Sequence, residues 1–366
     1  MIYGSLIQNG GCGSNMHSIV IDDTQRVIEN LGELVQKFRG VHILITGYMG
    51  FLGSNFCAFF HRLNEDVLKD KAHITCVDSK IVDLEDLTVE FTKDFTVVEH
   101  DVASHFPKLG TYDYIIHCAG IASPSYYRKY PLETINVNAI SFWHMLNSLH
   151  GDRLKGFLYF STSEIYGNPD PRHIPTREDY NGNVSCTGPR ACYDESKRLG
   201  ETIAVSFVKQ KNIPVKIVRP FNVYGPFMRL DDRRVIPDFV KDALHKRVIQ
   251  MYSDGSPTRS FCYLSDALEG FLRVLLLGTR GQSYNIGNGT EEVSMATLAH
   301  MIADLVGDVT VQKRSSGDSD YLIDNPQRRC PDISRAHHEL GYSPRVSLRE
   351  GLERIIRWYR DTYNIE

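Results

Sequence analysis

Tyr193 and Lys197 stand four residues apart in ACYDESKRLGET, and Ser161, Thr162, Ser163 and Glu164 close the apolar run FLYF. Residues four apart in a helix share a face, so an ammonium can stand beside a phenol. A phenol of pKa about 10 is only about 0.1% ionised at neutral pH, and a nearby cation favours the phenolate that could take a proton from an alcohol. On most helices such a pair is simply solvated. Here a hydroxyl-rich strand end and a glycine-rich loop accompany it, and that company gives it chemical meaning.

The loop is ILITGYMGFLG, with Gly47, Gly50 and Gly53 between a strand and a helix. Glycine is needed where the turn is tight, where backbone approaches a pyrophosphate, and where helix meets strand, and the helix N-terminus then faces the negative charge. Gly47, Gly50, Phe51, Leu52 and Gly53 form the expected cradle. Three spaced glycines alone are weak evidence, and the context strengthens them. The next strand, ITCVDSK, ends in Asp78, where a carboxylate would bond the adenosine ribose hydroxyls and repel a 2′-phosphate, which points to NAD rather than NADP. Asp101 and Val102 in EHDVA follow the succeeding strand and are weaker candidates for the adenine end.

Elements of two periods must position these residues. Short apolar runs at His42 to Thr46, Ile74 to Asp78, Thr96 to Glu99, Tyr114 to His117, Phe157 to Ser161 and Val215 to Arg219 alternate with helix-length segments. That alternation predicts right-handed crossovers and an α/β fold, a Rossmann-type doubly wound parallel sheet. Past Phe221, helices are expected at Pro237 to Leu244, Ser265 to Leu277, Thr297 to Val306 and Leu348 to Tyr363, in a smaller C-terminal substrate-binding lobe. Val27, Leu31, Leu34, Val35 and Phe38 form an apolar helical stripe that stops at Gly40, and residues 1 to 18 read as a loose tip. The expected division is an N-terminal extension at 1–40, an NAD-binding domain at 41–221 and a mainly nucleotide-sugar-binding lobe at 222–366.

From Val41 to Tyr363 the chain resembles the extended short-chain dehydrogenase/reductase family of nucleotide-sugar epimerases, dehydratases and decarboxylases. TGYMGFLG is similar to its TGxxGxxG, and Tyr193 and Lys197 match its YxxxK. HCAGIASPSYYRKYP, STSEIYGNP, GPRACYDESKR, FNVYGP, DGSPTRSF and NPQRRCPDI most resemble the UDP-glucuronate decarboxylases. The resemblance implies that Thr162 holds the sugar 4-hydroxyl, Tyr193 removes its proton, Lys197 supports Tyr193 and binds the nicotinamide ribose, and Glu164 shapes the chemistry at C5. It assigns Asn222, Arg234, Arg259 and Arg329 to the nucleotide diphosphate, and Ser123, Tyr127 and Ser163 to substrate contact. The implied reaction is a lyase reaction, NAD-dependent decarboxylation of UDP-glucuronate to a UDP-pentose through a 4-keto intermediate with hydride return. A 4,6-dehydratase or 4-epimerase is the alternative within the enzymes. A non-catalytic NAD-binding sensor or scaffold is the alternative outside them, and the intact Thr162, Tyr193 and Lys197 set argues against it. Two departures stand out: YGPFM puts Phe227 where the decarboxylases usually carry arginine, and SKIVDLEDL after Asp78 is unlike theirs.

Composition narrows the rest. Lys and Arg number 41 against 45 Asp and Glu, a net charge of −4, so no general positive field exists for nucleic acid or an anionic membrane, and anions must be bound locally. No apolar run is long enough to span a bilayer, and Met1 to His17 lacks the plan of a signal peptide. The eight scattered cysteines show no metal-ligand spacing, so no metal and a cytoplasmic setting with reduced thiols are expected. A homodimer is expected through Tyr193 to Lys209 and Leu132 to Leu149, where Phe142, Met145, Leu146 and Leu149 form a stripe that is either core or interface.

Overall fold

β1 (His42–Thr46), β2 (His73–Asp78), β3 (Phe95–Glu99), β4 (Tyr114–His117), β5 (Gly156–Phe160), β6 (Val215–Pro220) and β7 (Ser283–Ile286) lie side by side in a computed structural model that describes residues 16–79, 92–104, 110–149, 153–314 and 326–365. Their order is β7-β6-β5-β4-β1-β2-β3, with every pairing parallel. Chain direction across the sheet reverses between β1 and β4. At such a switch point the loops leaving the two strands diverge and open a crevice at their carboxyl ends.

Strand sequence explains this burial. HILIT, YIIH and GFLYF are near-continuous apolar runs because both sheet faces are covered. Their alternate side chains feed two cores. Ile43, Ile45, Ile116, Leu158 and Phe160 belong to the larger one, and Leu44, Ile115, Phe157 and Tyr159 to the smaller.

The larger core is covered by α1 (Ser18–Leu31), α2 (Phe51–Asp66), α4 (Val235–Lys246), α5 (Leu264–Leu277), α6 (Met295–Val306) and α7 (Leu348–Tyr363), and the smaller by the helical segment 124–148 and α3 (Ala191–Lys211). Within 124–148, Phe142, Met145 and Leu146 are core, and Leu149, just past its end, is partly buried. The stripe read from sequence therefore faces inward. The exposed large hydrophobic side chains of this segment are others, Leu132, Ile135, Ile140 and Trp143 with Tyr126 and Tyr130, and Leu199 of α3 is exposed as well.

The N-terminal stripe is integral to the fold. Val27, Leu31, Val35 and Phe38 are buried, but the expected single helix is an α-helix to Leu31 followed by a 3-10 turn at Gly32–Phe38. Most of the expected loose tip lies outside the described residues. Asp23 on α1 is buried and accepts hydrogen bonds from the Tyr263 hydroxyl (2.7 Å) and from Arg354 of α7 (2.8 Å). Asn30 donates to Glu269 of α5 at 2.9 Å, and His17 meets Asp361 at 3.0 Å.

The C-terminal third is shared between two structures. α5 and β7 complete the main sheet layer, while the three-stranded sheet of Thr258–Ser260, Glu292–Ser294 and Arg328–Arg329 stands over its carboxyl edge.

Candidate active site

The glycine-rich loop runs from β1 into α2. Gly47 has φ +71°, and a Cβ there would lie 2.6 Å from the Ala119 backbone nitrogen; one on Gly53 would lie 2.1 Å from the Gly47 carbonyl oxygen. Only glycine permits this close turn, and it leaves the first turn of α2, with Gly50 as an N-cap without side-chain bond, open to an anion. Phe51 and Leu52 pack on the larger core. Asp78, at the end of β2, accepts the Met49 and Ser79 N–H groups, each at 2.9 Å, so its carboxylate is fixed beside the loop. Burial pushes its pKa up, and these two N–H groups oppose that shift. Asp101 is exposed and accepts the Ala103 N–H at 2.8 Å. The Val102 side chain is in the smaller core. Residues 80–91 of the unusual loop after Asp78 lie outside the described residues.

Tyr193 sits in the first turn of α3 and is buried. Its hydroxyl hydrogen-bonds Thr162, and burial is the main reason its pKa is pushed up to about 12, against that bond and the charge of Arg234. Lys197 lies one turn on. The sequence places its ammonium beside the phenol; in the structure Nζ donates to the Phe160 carbonyl at 2.8 Å and stands 5.3 Å from the Tyr159 ring centroid. Burial pulls the Lys197 pKa down to about 8. An ammonium has three donors, so two more N–H directions extend from Lys197 beside the one held by β5.

Thr162 caps the short turn Ser163–Tyr166 by accepting the Glu164 N–H at 3.2 Å, and Ser163 is buried in that turn. Glu164 is clamped: one carboxylate oxygen pairs with Arg190 and the other with Arg329. Burial works against its charge, but Arg190 and Arg329 hold the carboxyl at about 2. Arg259 is buried nearby, pulled down to about 9 by desolvation and the Arg329 charge, and donates to the Thr258 carbonyl at 2.7 Å. The sequence reading gave Arg329 to the diphosphate, whereas here it holds the carboxylate next to Thr162. Arg190 was not singled out at all. Its signal was its position, three residues before Tyr193 and therefore on the same side of α3.

Tyr127 stacks on Tyr193, and its buried hydroxyl has no hydrogen-bond partner among the described residues. Ser123 donates to the Asp232 carbonyl (2.8 Å), Arg234 pairs with the Asp232 carboxylate (3.1 Å), and the Asn222 amide donates to the Ser260 carbonyl (2.8 Å). Asn222 thus joins the end of β6 to the Thr258–Ser260 strand, while Arg234 is held by a neighbour two residues away and its charge acts on Tyr193. Phe227 packs against Trp358, with ring centroids 6.1 Å apart, and the neighbouring Arg229 is paired with Asp231 at 2.9 Å.

The profile of the NAD dependent epimerase/dehydratase family matches residues 43–287, more than half of the chain. The chain belongs to this family. Among its relatives, it is 37% identical over 317 residues to UDP-glucuronic acid decarboxylase 6 of Arabidopsis thaliana, covering 85% of this chain and 87% of that one. It is 36% identical over 325 residues to UDP-glucuronic acid decarboxylase 1 of Xenopus tropicalis, covering 87% and 72%. Among solved structures it is similar to the dTDP-glucose 4,6-dehydratase DesIV from Streptomyces venezuelae with NAD and TYD bound (TM-score 0.75, 25% identity, covering 88% of this chain and 98% of that one). It is also similar to UDP-glucuronic acid 4-epimerase from Bacillus cereus in complex with UDP-glucuronic acid and NAD (TM-score 0.74, 25% identity, covering 88% and 100%).

The family's cofactor fits this chain. Gly47 and Gly53 leave the space a Cβ would fill, α2 presents its N-terminus, and Asp78 stands at the edge of that space. Bound there, NAD takes up a hydride and gives it back. Next to this space the hydrogen-bonded Thr162–Tyr193 pair and the guanidiniums of Arg190, Arg259 and Arg329 stand together about Glu164. No described helix is long and apolar enough to cross a membrane.

Proposed function

We propose that this enzyme decarboxylates UDP-glucuronate to a UDP-pentose, UDP-xylose, with no net consumption of NAD. The observation that carries the reading is the gathering of three largely buried guanidiniums, Arg190, Arg259 and Arg329, about the Glu164 carboxylate, next to the Thr162–Tyr193 pair, with Asp194 beside Arg190 and Glu292 acting on Arg259. Such a buried cluster of guanidiniums suits an anionic ligand. A sugar bearing both a diphosphate and a carboxylate supplies it. The names of the relatives agree.

In this reading Thr162 hydrogen-bonds the 4-hydroxyl and Tyr193 takes its proton as the C4 hydride leaves. The 4-ketone makes the C6 carboxylate a β-keto acid. Its C5–C6 bond breaks, CO2 departs, and the electron pair moves onto the C4 oxygen as an enolate that Thr162 and Tyr193 stabilise by hydrogen bonding. Water then supplies a proton to C5, and as the hydride returns to C4 Tyr193 gives the proton it took back to the C4 oxygen. Glu164 acts throughout as an anion, shaping the C5 end, while Lys197 binds the nicotinamide ribose. Asp78 takes the adenosine ribose, and Asn222, Arg234 and Arg259 serve the diphosphate.

We assign residues 41–221 mainly to NAD, 222–366 mainly to the nucleotide sugar, and 1–40 to an extension. The protein works as a cytoplasmic homodimer, paired through exposed Leu132, Ile135, Ile140, Trp143 and Leu199. The seven described cysteines are free, in keeping with that compartment. Mass spectrometry of products from UDP-glucuronate tests the function: loss of CO2 with no accumulation of NADH is expected. A 4-epimer of unchanged mass would favour the epimerase reading, as in the Bacillus cereus neighbour.

A further inference from the structure

We propose that Arg190 is the residue that selects a carboxylated sugar, receiving the substrate carboxylate in exchange for Glu164. This deepens the decarboxylase reading and rests on it. Arg190 and Arg329 hold the two oxygens of Glu164, with Arg259 nearby, and an incoming carboxylate competes with Glu164 for a guanidinium already directed at the reacting end.

The geometry distinguishes Arg190 from its neighbours. Arg329 is 4% exposed at the side chain, is fixed by its own strand pairing, and also reaches the Gly167 carbonyl at 3.5 Å. Arg259 donates to the Thr258 carbonyl. Arg190 lies at the N-cap of α3, three residues before Tyr193, with 15% of its side chain exposed. Its buried Nε makes no hydrogen bond among the described residues and is ion-paired with the Asp194 carboxylate at 3.9 Å. Its guanidinium carbon stands 5.9 Å from the centroid of Tyr127, the ring stacked on Tyr193. The Tyr127 hydroxyl, without a hydrogen-bond partner among the described residues, and Arg190 Nε are therefore two donors near the Thr162–Tyr193 pair.

Other cations do not supply this function. Phe227 turns to Trp358, and Arg229 is engaged with Asp231. When the carboxylate takes Arg190, Glu164 keeps Arg329 alone and becomes a stronger acceptor beside C5. Arginine suits the exchange because its planar fork pairs a carboxylate through two parallel bonds.

The test is calorimetric titration of the full-length, NAD-loaded protein with UDP-glucuronate, UDP-glucose and UDP. Arg190→Gln should weaken UDP-glucuronate ~10- to 100-fold, the usual range for a lost charged hydrogen bond, while UDP-glucose and UDP stay within about twofold. Glu164→Gln should tighten UDP-glucuronate selectively, and that gain should shrink in the Arg190→Gln background, because the two groups compete for one partner. Arg190→Lys, which keeps the charge, should retain part of the selectivity. Equal weakening of all three ligands, or a gain from Glu164→Gln that is the same with and without Arg190, overturns the proposal. A wild-type enzyme that releases CO2 and prefers UDP-glucuronate, with Arg190→Gln keeping that preference, refutes this inference alone. A wild type with neither property refutes the decarboxylase reading.

Discussion

Tyr193 lies flat against Tyr127, with ring centroids 5.0 Å apart and planes within 7° of parallel. The Tyr193 phenol is therefore oriented by a buried ring on one side and by the Thr162 hydroxyl at its oxygen, while Lys197 is anchored on the Phe160 carbonyl. Positioning and charge supply come from different residues.

Tyr193→Phe keeps the ring, its stacking and the fold, and removes the proton acceptor. Turnover should fall ~10²- to 10⁴-fold, the usual worth of general base catalysis, while bound NAD measured after denaturation stays near wild type. Turnover within a few-fold of wild type would refute the assignment.

Asp78 is the residue we propose to carry the cofactor choice. Asp78→Ala removes both the ribose acceptor and the charge that repels a 2′-phosphate, and it frees the Met49 N–H. Titrations of the apoprotein should show weaker NAD binding and a smaller preference over NADP. A wild-type protein that prefers NADP would contradict the role given to Asp78.

Asp23 makes stability depend on pH. Desolvation raises its folded pKa from 3.8 to about 6, in spite of Arg354 and Tyr263. The folded state therefore binds the extra proton between these values, so stability should rise as pH falls from about 7 to 4, by at most on the order of 3 kcal/mol from this group. Asp23→Asn should remove that part of the slope. Urea midpoints of the two proteins at pH 4.5, 5.5 and 7 measure it, and parallel profiles would show that Asp23 does not titrate this way.

Assembly is tested at Leu132, which is 76% exposed. Leu132→Glu places charge in the proposed apolar interface while touching no core residue. Light scattering should report a dimer for wild type and a monomer for the variant, at micromolar concentration. A wild-type monomer would remove the interface altogether.

Six of the seven sheet strands were readable within about a residue because HILIT, YIIH and their like are short apolar runs between glycine-rich loops and amphipathic helices. β7 was not. Its four residues, SYNI, follow an irregular stretch, and only distant pairing with β6 makes them a strand. Gly32 was also missed as a break, because the apolar stripe continues through the 3-10 turn in nearly the same phase. In the site, Tyr193, Thr162 and the glycines were legible from spacing along single elements. The clamp on Glu164 was not, since Arg190 and Arg329 come from a helix cap and a two-residue strand that only the tertiary fold brings to one carboxylate.

Docking of α1 against α5 and α7 has a consequence for synthesis. Asp23 is translated long before its partners Tyr263 and Arg354, and Asn30 long before Glu269. While the chain is still being made, the apolar side of this early helix has no late partner to cover it, and the β1–α2 unit is the only nearby surface already produced. Completion of the structure at the start of the chain thus waits for its last helix to leave the ribosome, a delay that exposes hydrophobic surface to chaperones and to other nascent chains. Ribosome-bound intermediates should be most prone to aggregation until that final helix emerges.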